Sequence, residues 1–193
     1  MLLYIHGFNS SPDSQKARDV RDYFETNFPE VTLFIPELEF SVLDAMAQLT
    51  DIVEQAQKKQ EKICYVGSSL GGYFATYLSE NFGGKAVLIN PAIKPYELLH
   101  EHLGDYENPY SKKKFSVTLE QLEYLKKYDV DVIRHPDRFL VLLQQGDELL
   151  DYRQAMWKFQ GCQMSVEAGG HHAFQNLTKH FSRITEFFQL HQN

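Results

Sequence analysis

The sequence predicts an α/β fold: a parallel sheet of about six strands with helices packed on both faces and a short helical insertion. Three observations carry this. Short apolar runs alternate with longer amphipathic stretches, the pattern of parallel strands joined by crossover helices. Hydrophobic residues make up 43% of the chain and charged residues 23%, values of a globular rather than a disordered protein. The longest unbroken apolar runs, Met1–Ile5 and Phe139–Leu143, have five residues, and a membrane span needs about 20. At about 150 residues per domain, the 193 residues suit one domain over 1–193.

The elements follow in order. Leu2 to Ile5 reads as the first strand, and His6 to Ser11 as a polar loop. Ser11-Pro12 begins a helix, because Ser caps helices and Pro suits the first helical position, where its missing N–H would be unpaired anyway. Ala17, Val20, Phe24 and Phe28 then share one helical face. Val31 to Ile35 is a second strand, closed by Pro36. Ser41 to Asp44 resembles a capping box, followed by the stripe Val42, Ala45, Met46, Leu49, Ile52, Val53 and Ala56.

Ile63 to Val66 is the third strand, and a helix runs from Leu70 to about Asn81, broken by Gly83-Gly84. Ala86–Ile89, Phe139–Leu143 and the weaker Gln163–Glu167 complete the strands. A helix begins at Asp151, and Phe174, Leu177, Phe181, Ile184 and Phe188 stripe a final one. Residues 92–136 break the rhythm. They are rich in aromatics and Leu without a clear strand, and read as a helical lid over the sheet edge.

Composition narrows the function. Lys and Arg total 19 against 26 Asp and Glu, and a charge of −7 repels polyanions, so nucleic acid is not an expected partner. No basic segment precedes the first apolar run, so no secretory leader is expected and the expected compartment is the cytoplasm. Cys64 and Cys162 lack metal spacing and are too few for a disulfide framework; they read as buried thiols.

The chemistry centres on Gly67-Ser68-Ser69-Leu70-Gly71. This is G-x-S-x-G between a strand and a helix, where a sharp turn thrusts a serine hydroxyl upward and its neighbours must be small. Ser69, with Gly two residues away on each side, is the candidate nucleophile ahead of Ser68. The bland alternative is a Gly-rich turn cradling a phosphate. A serine hydroxyl needs a base, and the base an orienting acid. In this architecture they come in the order Ser, acid, His. Asp147 directly follows the fifth strand, with Glu148 and Asp151 as alternatives; Asp151 also reads as a helix cap. The base comes from Gly169-Gly170-His171-His172, with His172 favoured over His171. No H-E-x-x-H motif or Cys cluster supports a metal there. His100, His102, His135, His180 and His191 read as surface or lid residues. Acyl transfer also needs fixed N–H donors for a tetrahedral oxyanion. The backbone amides of Leu70 and Phe8 are the candidates, with Gly7 letting the main chain approach. Tyr96, Leu98, Leu99, Tyr106, Tyr110 and Phe115 of the insertion are candidates to line an acyl pocket. The Lys112-Lys113-Lys114 run reads as a solvated loop face, with a phosphate of a thioester carrier as the alternative.

Five motifs in order resemble an α/β-hydrolase, and specifically the small bacterial YqiA-type esterases of the YqiA/YcfP family. They are His6-Gly7-Phe8-Asn9-Ser10-Ser11-Pro12, Gly67–Tyr73, Asn90-Pro91-Ala92, Gln145–Glu148 with Asp151–Ala155, and Gly169–Phe174. The resemblance implies a reduced α/β-hydrolase fold of about six parallel strands, a serine esterase or thioesterase activity and no cofactor. It assigns Ser69 as nucleophile, Asp147 as acid and His172, just before Ala-Phe, as base. Where the family often has Asn before the base, this chain has His171. The expected substrate is a small acyl ester or thioester, cleaved through an acyl-enzyme. The alternatives are a non-catalytic relative that binds a small acyl ligand, and an acyltransferase using the same three residues.

Overall fold

A computed structural model describes residues 1–190; His191 lies outside the described residues. The main sheet runs β1 (Leu2–Ile5), β2 (Leu33–Phe34), β3 (Cys64–Ser68), β4 (Lys85–Ile89), β7 (Phe139–Gln144) and β8 (Gln163–Glu167). Its spatial order is β2-β1-β3-β4-β7-β8, and every pairing is parallel. Successive side chains of a strand point to opposite faces, so each of the four central strands feeds two cores. Leu3, Ile5, Tyr65, Leu88 and Val141 pack under α2 (Val42–Lys58) and α3 (Leu70–Phe82). Leu2, Tyr4, Val66, Ile89 and Leu142 pack under α1 (Gln15–Asn27) and α7 (Phe181–Phe188). Both faces of β1, β3, β4 and β7 are thus buried, which is why these four strands read as continuous apolar runs.

The chain leaves β1 toward β2 and then returns to place β3 on the other side of β1. Open α/β sheets bind ligands beyond the carboxyl ends of their strands at such a reversal. The loops starting at His6 and at Ser69 emerge there, side by side.

Outside the insertion, three elements differ from expectation. Helix α1 starts at Gln15 rather than at Pro12. The Ser11 hydroxyl accepts the Asp13 N–H at 3.0 Å and the Ser11 carbonyl accepts the Ser14 N–H, so a local turn takes the place of the first helical turn. Strand β2 keeps only two residues, because Val31 N–H bonds back to Phe28 and Pro36 has no N–H to donate. The C-terminal stripe is buried as expected, but Phe174 and Asn176 have φ of 61° and 58°, and helix begins only with a tight turn at Leu177–His180 followed by α7. The backbone of Gln175 is instead bonded in both directions to the Gln144 side chain.

The insertion between β4 and β7 carries α4 (Pro95–His100) and α5 (Leu119–Lys126), and between them an antiparallel hairpin not expected from the sequence. In it, β5 (Gly104–Glu107) pairs with β6 (Lys114–Val117). Tyr106 opposes Phe115 and packs inward, whereas Asp105 and Ser116 bond each other at 2.6 Å on the outer side. Four charged or polar residues in eight mask this short alternation.

Candidate active site

Gly67 and Gly71 let α3 cross hard against β1. A β-carbon on Gly71 would lie 1.9 Å from the Ile5 carbonyl oxygen, and one on Gly67 would lie 2.3 Å from that of Gly71. The chain therefore turns sharply at Ser69, which sits at φ 54° and ψ −119°. A non-glycine residue there costs about 1–3 kcal/mol and persists only if its surroundings hold it. They do: Ser69 N–H donates to the Ile89 carbonyl at 3.1 Å, and the Ser69 carbonyl accepts the Ala92 N–H at 3.1 Å.

The structure brings Ser69, His172 and Asp147 together. His172 Nε2 is 3.1 Å from Ser69 Oγ. Its Nδ1 is 3.0 and 2.9 Å from the two Asp147 carboxylate oxygens. Asp147 is held in turn by the amides of Leu149 and Leu150, each donating to Oδ1 at 2.9 Å. Its side chain is only 2% exposed, whereas His172 is 19% exposed. Burial works against ionisation of Asp147. The bonds from His172 and from the Leu150 and Leu149 amides, with the attraction of the imidazole, outweigh it and hold the carboxyl below its ordinary range. An ionised carboxylate can only accept, so Nδ1 carries the imidazole proton and Nε2 presents its lone pair to Ser69. Ser68 is buried in β3, and Asp151 is the N-cap of α6 (Tyr152–Lys158), bonded to the Arg153 amide and guanidinium.

Four further residues hold the His172 loop, among them Glu148, which the sequence offers as an alternative acid and which meets the His172 backbone rather than its ring. Asn90 Nδ2 donates to the carbonyls of His171 and His172 at 3.2 and 3.3 Å, and its Oδ1 accepts the Gln144 N–H. The buried amide of Gln144 accepts from His171 N and Gln175 N and donates to Gln175 O and Glu167. Lys16 Nζ donates to the Ala173 carbonyl at 2.9 Å. Glu148 accepts the His172 N–H at 2.9 Å. Asn90 enters the sequence reading only through the Asn90-Pro91-Ala92 motif, and Gln144, inside an apolar strand, only through its polarity.

The loop after β1 backs onto the serine. A β-carbon on Gly7 would lie 3.2 Å from Ser69 Cβ and 3.7 Å from its Oγ. His6 is buried and its Nε2 accepts the Leu38 N–H, so Nδ1 carries the proton and donates to the Gly7 carbonyl at 3.0 Å. That bond orients the rigid Gly7–Phe8 peptide, and with it the Phe8 N–H. Asn108 Nδ2 of the hairpin turn donates to the Ser10 carbonyl at 3.0 Å, tying the insertion to the same loop.

An apolar cavity of about 260 Å³ opens beside Ser69 and His172. Leu98, Leu99 and Tyr106 line it, with Phe8, Pro95 and Leu150. The other three proposed lining residues are placed elsewhere. Tyr96 bonds Asp129 at 2.6 Å, Phe115 stacks on Phe40 at 4.5 Å, and Tyr110 is exposed on the hairpin turn. His102 is exposed on the insertion and lines the cavity, as expected of a lid residue, whereas His180 is buried against Phe174 and bonded to Glu167 and so is neither surface nor lid. Cys64 is buried and Cys162 only half-buried; burial pushes both thiols up, Cys162 to about 11. Among the described residues no helix is long and apolar enough to cross a membrane. Lys113 of the basic run faces Glu37 at 3.5 Å.

A six-stranded parallel sheet with a serine at the β3–α3 turn and an acid and a histidine after β7 and β8 is the α/β-hydrolase fold. Solved structures share it. A soluble variant of monoglyceride lipase from Saccharomyces cerevisiae superimposes with a TM-score of 0.66 at 11% identity, covering 100% of this chain and 86% of that one. Est1E from Butyrivibrio proteoclasticus, solved with ferulic acid, gives 0.61 at 16% identity, covering 97% and 86%. Within that fold the chain belongs to the family described as "Uncharacterised protein family (UPF0227)", whose model matches residues 1–189. The UPF0227 protein of Serratia proteamaculans is 25% identical over 203 residues, spanning 98% of this chain and 99% of that protein.

Proposed function

We propose that the protein is a serine hydrolase that cleaves carboxylic esters or acyl thioesters through an acyl-enzyme on Ser69. The observation that carries this reading is the unbroken line of contacts from Asp147 through His172 to Ser69 Oγ, with the imidazole tautomer it dictates. His172 Nε2 takes the Ser69 proton as Oγ attacks the acyl carbon. The carbonyl electrons move onto oxygen, where the Phe8 and Leu70 amides stabilise the negative charge. Such donors are worth about 3–4 kcal/mol each in comparable enzymes. Collapse expels the alcohol or thiol, which receives its proton from His172 Nε2. Water, deprotonated by the same nitrogen, then releases the acid and frees Ser69. Asp147 remains ionised throughout and supports the imidazolium.

The acyl chain enters the cavity under α4 and the hairpin, with residues 92–136 as its cap. An apolar cavity of about 150 Å³ holds benzene, so one of about 260 Å³ takes roughly ten carbon atoms. A fluorophosphonate probe tests the reading directly. One adduct per chain is expected on the wild type and none on Ser69→Ala, with both proteins folded by circular dichroism. Labelling that survives in Ser69→Ala overturns the assignment.

A further inference from the structure

Two adjacent acids on the β7 loop grip one histidine. Asp147 holds the His172 ring, and Glu148 holds its main chain: Glu148 Oε2 accepts the His172 N–H at 2.9 Å. The His172 carbonyl is taken by Asn90 at 3.3 Å, and the next carbonyl, of Ala173, by Lys16 at 2.9 Å. Gly169 and Gly170 precede the histidine with φ of 72° and 77°, so the loop that carries it is locally permissive. Of these bonds, the one from Glu148 alone captures the N–H of the base itself. It also comes from the segment that presents the acid, so ring and backbone are registered to the same anchor.

We propose that Glu148 is a positioning residue for the base: it fixes the main chain of His172 so that the imidazole spans Asp147 and Ser69 at once. This rests on His172 acting as base for Ser69. The carboxylate also places negative charge beside an imidazole that becomes a cation during turnover. The other charged or titratable groups around His172 are Asp147, Lys16 from α1 and the neighbouring His171. Glu148 itself is exposed at the loop surface, so its replacement leaves the core intact.

Glu148→Gln and Glu148→Ala separate the two contributions, because Gln keeps an oxygen that can accept the N–H and loses only the charge. Each variant is assayed with a medium-chain p-nitrophenyl ester across pH 5 to 9 and with the fluorophosphonate probe. A misplaced catalytic group costs up to about a hundredfold. Glu148→Ala is therefore expected to lower kcat roughly ten- to a hundredfold, slow probe labelling in parallel and leave KM within about twofold. Glu148→Gln is expected to stay within about threefold of wild-type kcat across this pH range, because its side-chain oxygen can still accept the His172 N–H. Wild-type kcat in Glu148→Ala overturns the proposal, as does an equal loss in Glu148→Gln, which would make charge and not the backbone bond the cause. If the wild type neither labels nor turns over the ester, the serine reading fails and this inference with it. If the wild type labels and Glu148→Ala labels equally fast, only the inference fails.

Discussion

The side-chain amide of Gln144 occupies the space that a β-carbon on Gly170 would need: that atom would lie 2.1 Å from Gln144 Oε1. The contact joins the last residue of β7 to the loop that carries His172. Gln144 cannot simply swing away, because its amide already serves His171, Gln175 and Glu167.

Gly170→Ala is accordingly expected to damage stability and activity together. At φ 77° an alanine costs about 1–2 kcal/mol from backbone strain alone, and displacing Gln144 adds to it. Gly83→Ala is the control. At φ 83° and ψ −179° it lies in a region essentially reserved for glycine, with nothing within 4 Å of the new carbon, so Gly83→Ala costs stability through strain alone and turnover stays intact. Urea denaturation and ester hydrolysis compare the two. If Gly170→Ala keeps turnover as intact as Gly83→Ala does, Gln144 is not the support described.

Acid is expected to destabilise the fold in two stages. Burial depresses the pKa of His6 in the folded chain, so on acidification the unfolded chain binds that proton first. Stability from this group is present above the unfolded value of about 6.5 and is lost as pH falls through the lower folded value. Asp147 has the same sign further down: its depressed carboxyl contributes above about pH 4, and the contribution disappears as pH falls through the folded value. The melting temperature of the wild type should drop between pH 7.5 and 5.5 more than that of His6→Asn. Parallel curves for the two proteins would refute the assignment to His6.

Much of this is legible in the sequence. The six strands of the main sheet, the serine turn and the two loops facing it follow from apolar runs punctuated by glycine and acid. What the sequence hid is what depends on tertiary partners. Ser11 reads as a helix cap because its bond to Asp13, a turn of the same chemistry, has the same signature. Tyr106 and Phe115 read as helical or loop aromatics because their hairpin has only four residues a side. Tyr96 and Leu99 are equivalent as apolar residues of one helix. Yet Tyr96 turns to Asp129, which also bonds Lys158 of α6, and Leu99 turns to the cavity. Gln144 and Asn90 act through amides that no spacing rule picks out.

The two histidines differ in what their rings meet. Both give their carbonyls to Asn90, but the His172 ring alone lies between Asp147 and Ser69. His172→Ala is expected to lower kcat at least ~10³-fold and His171→Ala about tenfold or less. Asp147→Asn should slow turnover by up to ~10⁴, because the imidazole loses both its tautomer and its counter-charge. Asp151→Asn should change little, since Asn caps a helix as well as Asp does. Steady-state kinetics on one ester rank all four. A His171 loss larger than that of His172 would transfer the role of base.

Acyl-chain preference tests the cavity. Each methylene moved from water to an apolar wall is worth about 0.8 kcal/mol, close to fourfold in kcat/KM if the site buries it in the transition state. A p-nitrophenyl ester series should therefore climb with chain length and then level or fall near the roughly ten carbons the cavity holds. Leu98 and Leu149 are 38% and 58% exposed at the rim, so they are not expected to set the limit. Leu99 is 7% exposed and Tyr106 is packed edge-on against Phe8 at 5.7 Å, which makes them walls. Leu99→Ala opens space for more carbons and should move the optimum to longer chains, with acetyl ester hydrolysis nearly unchanged. Tyr106→Ala should do the same but with some loss on every chain length, because Phe8, whose amide is the proposed oxyanion donor, loses a neighbour. A flat profile, or an optimum that neither substitution moves, would mean that the acyl group binds outside this cavity and that the insertion serves only as a cover.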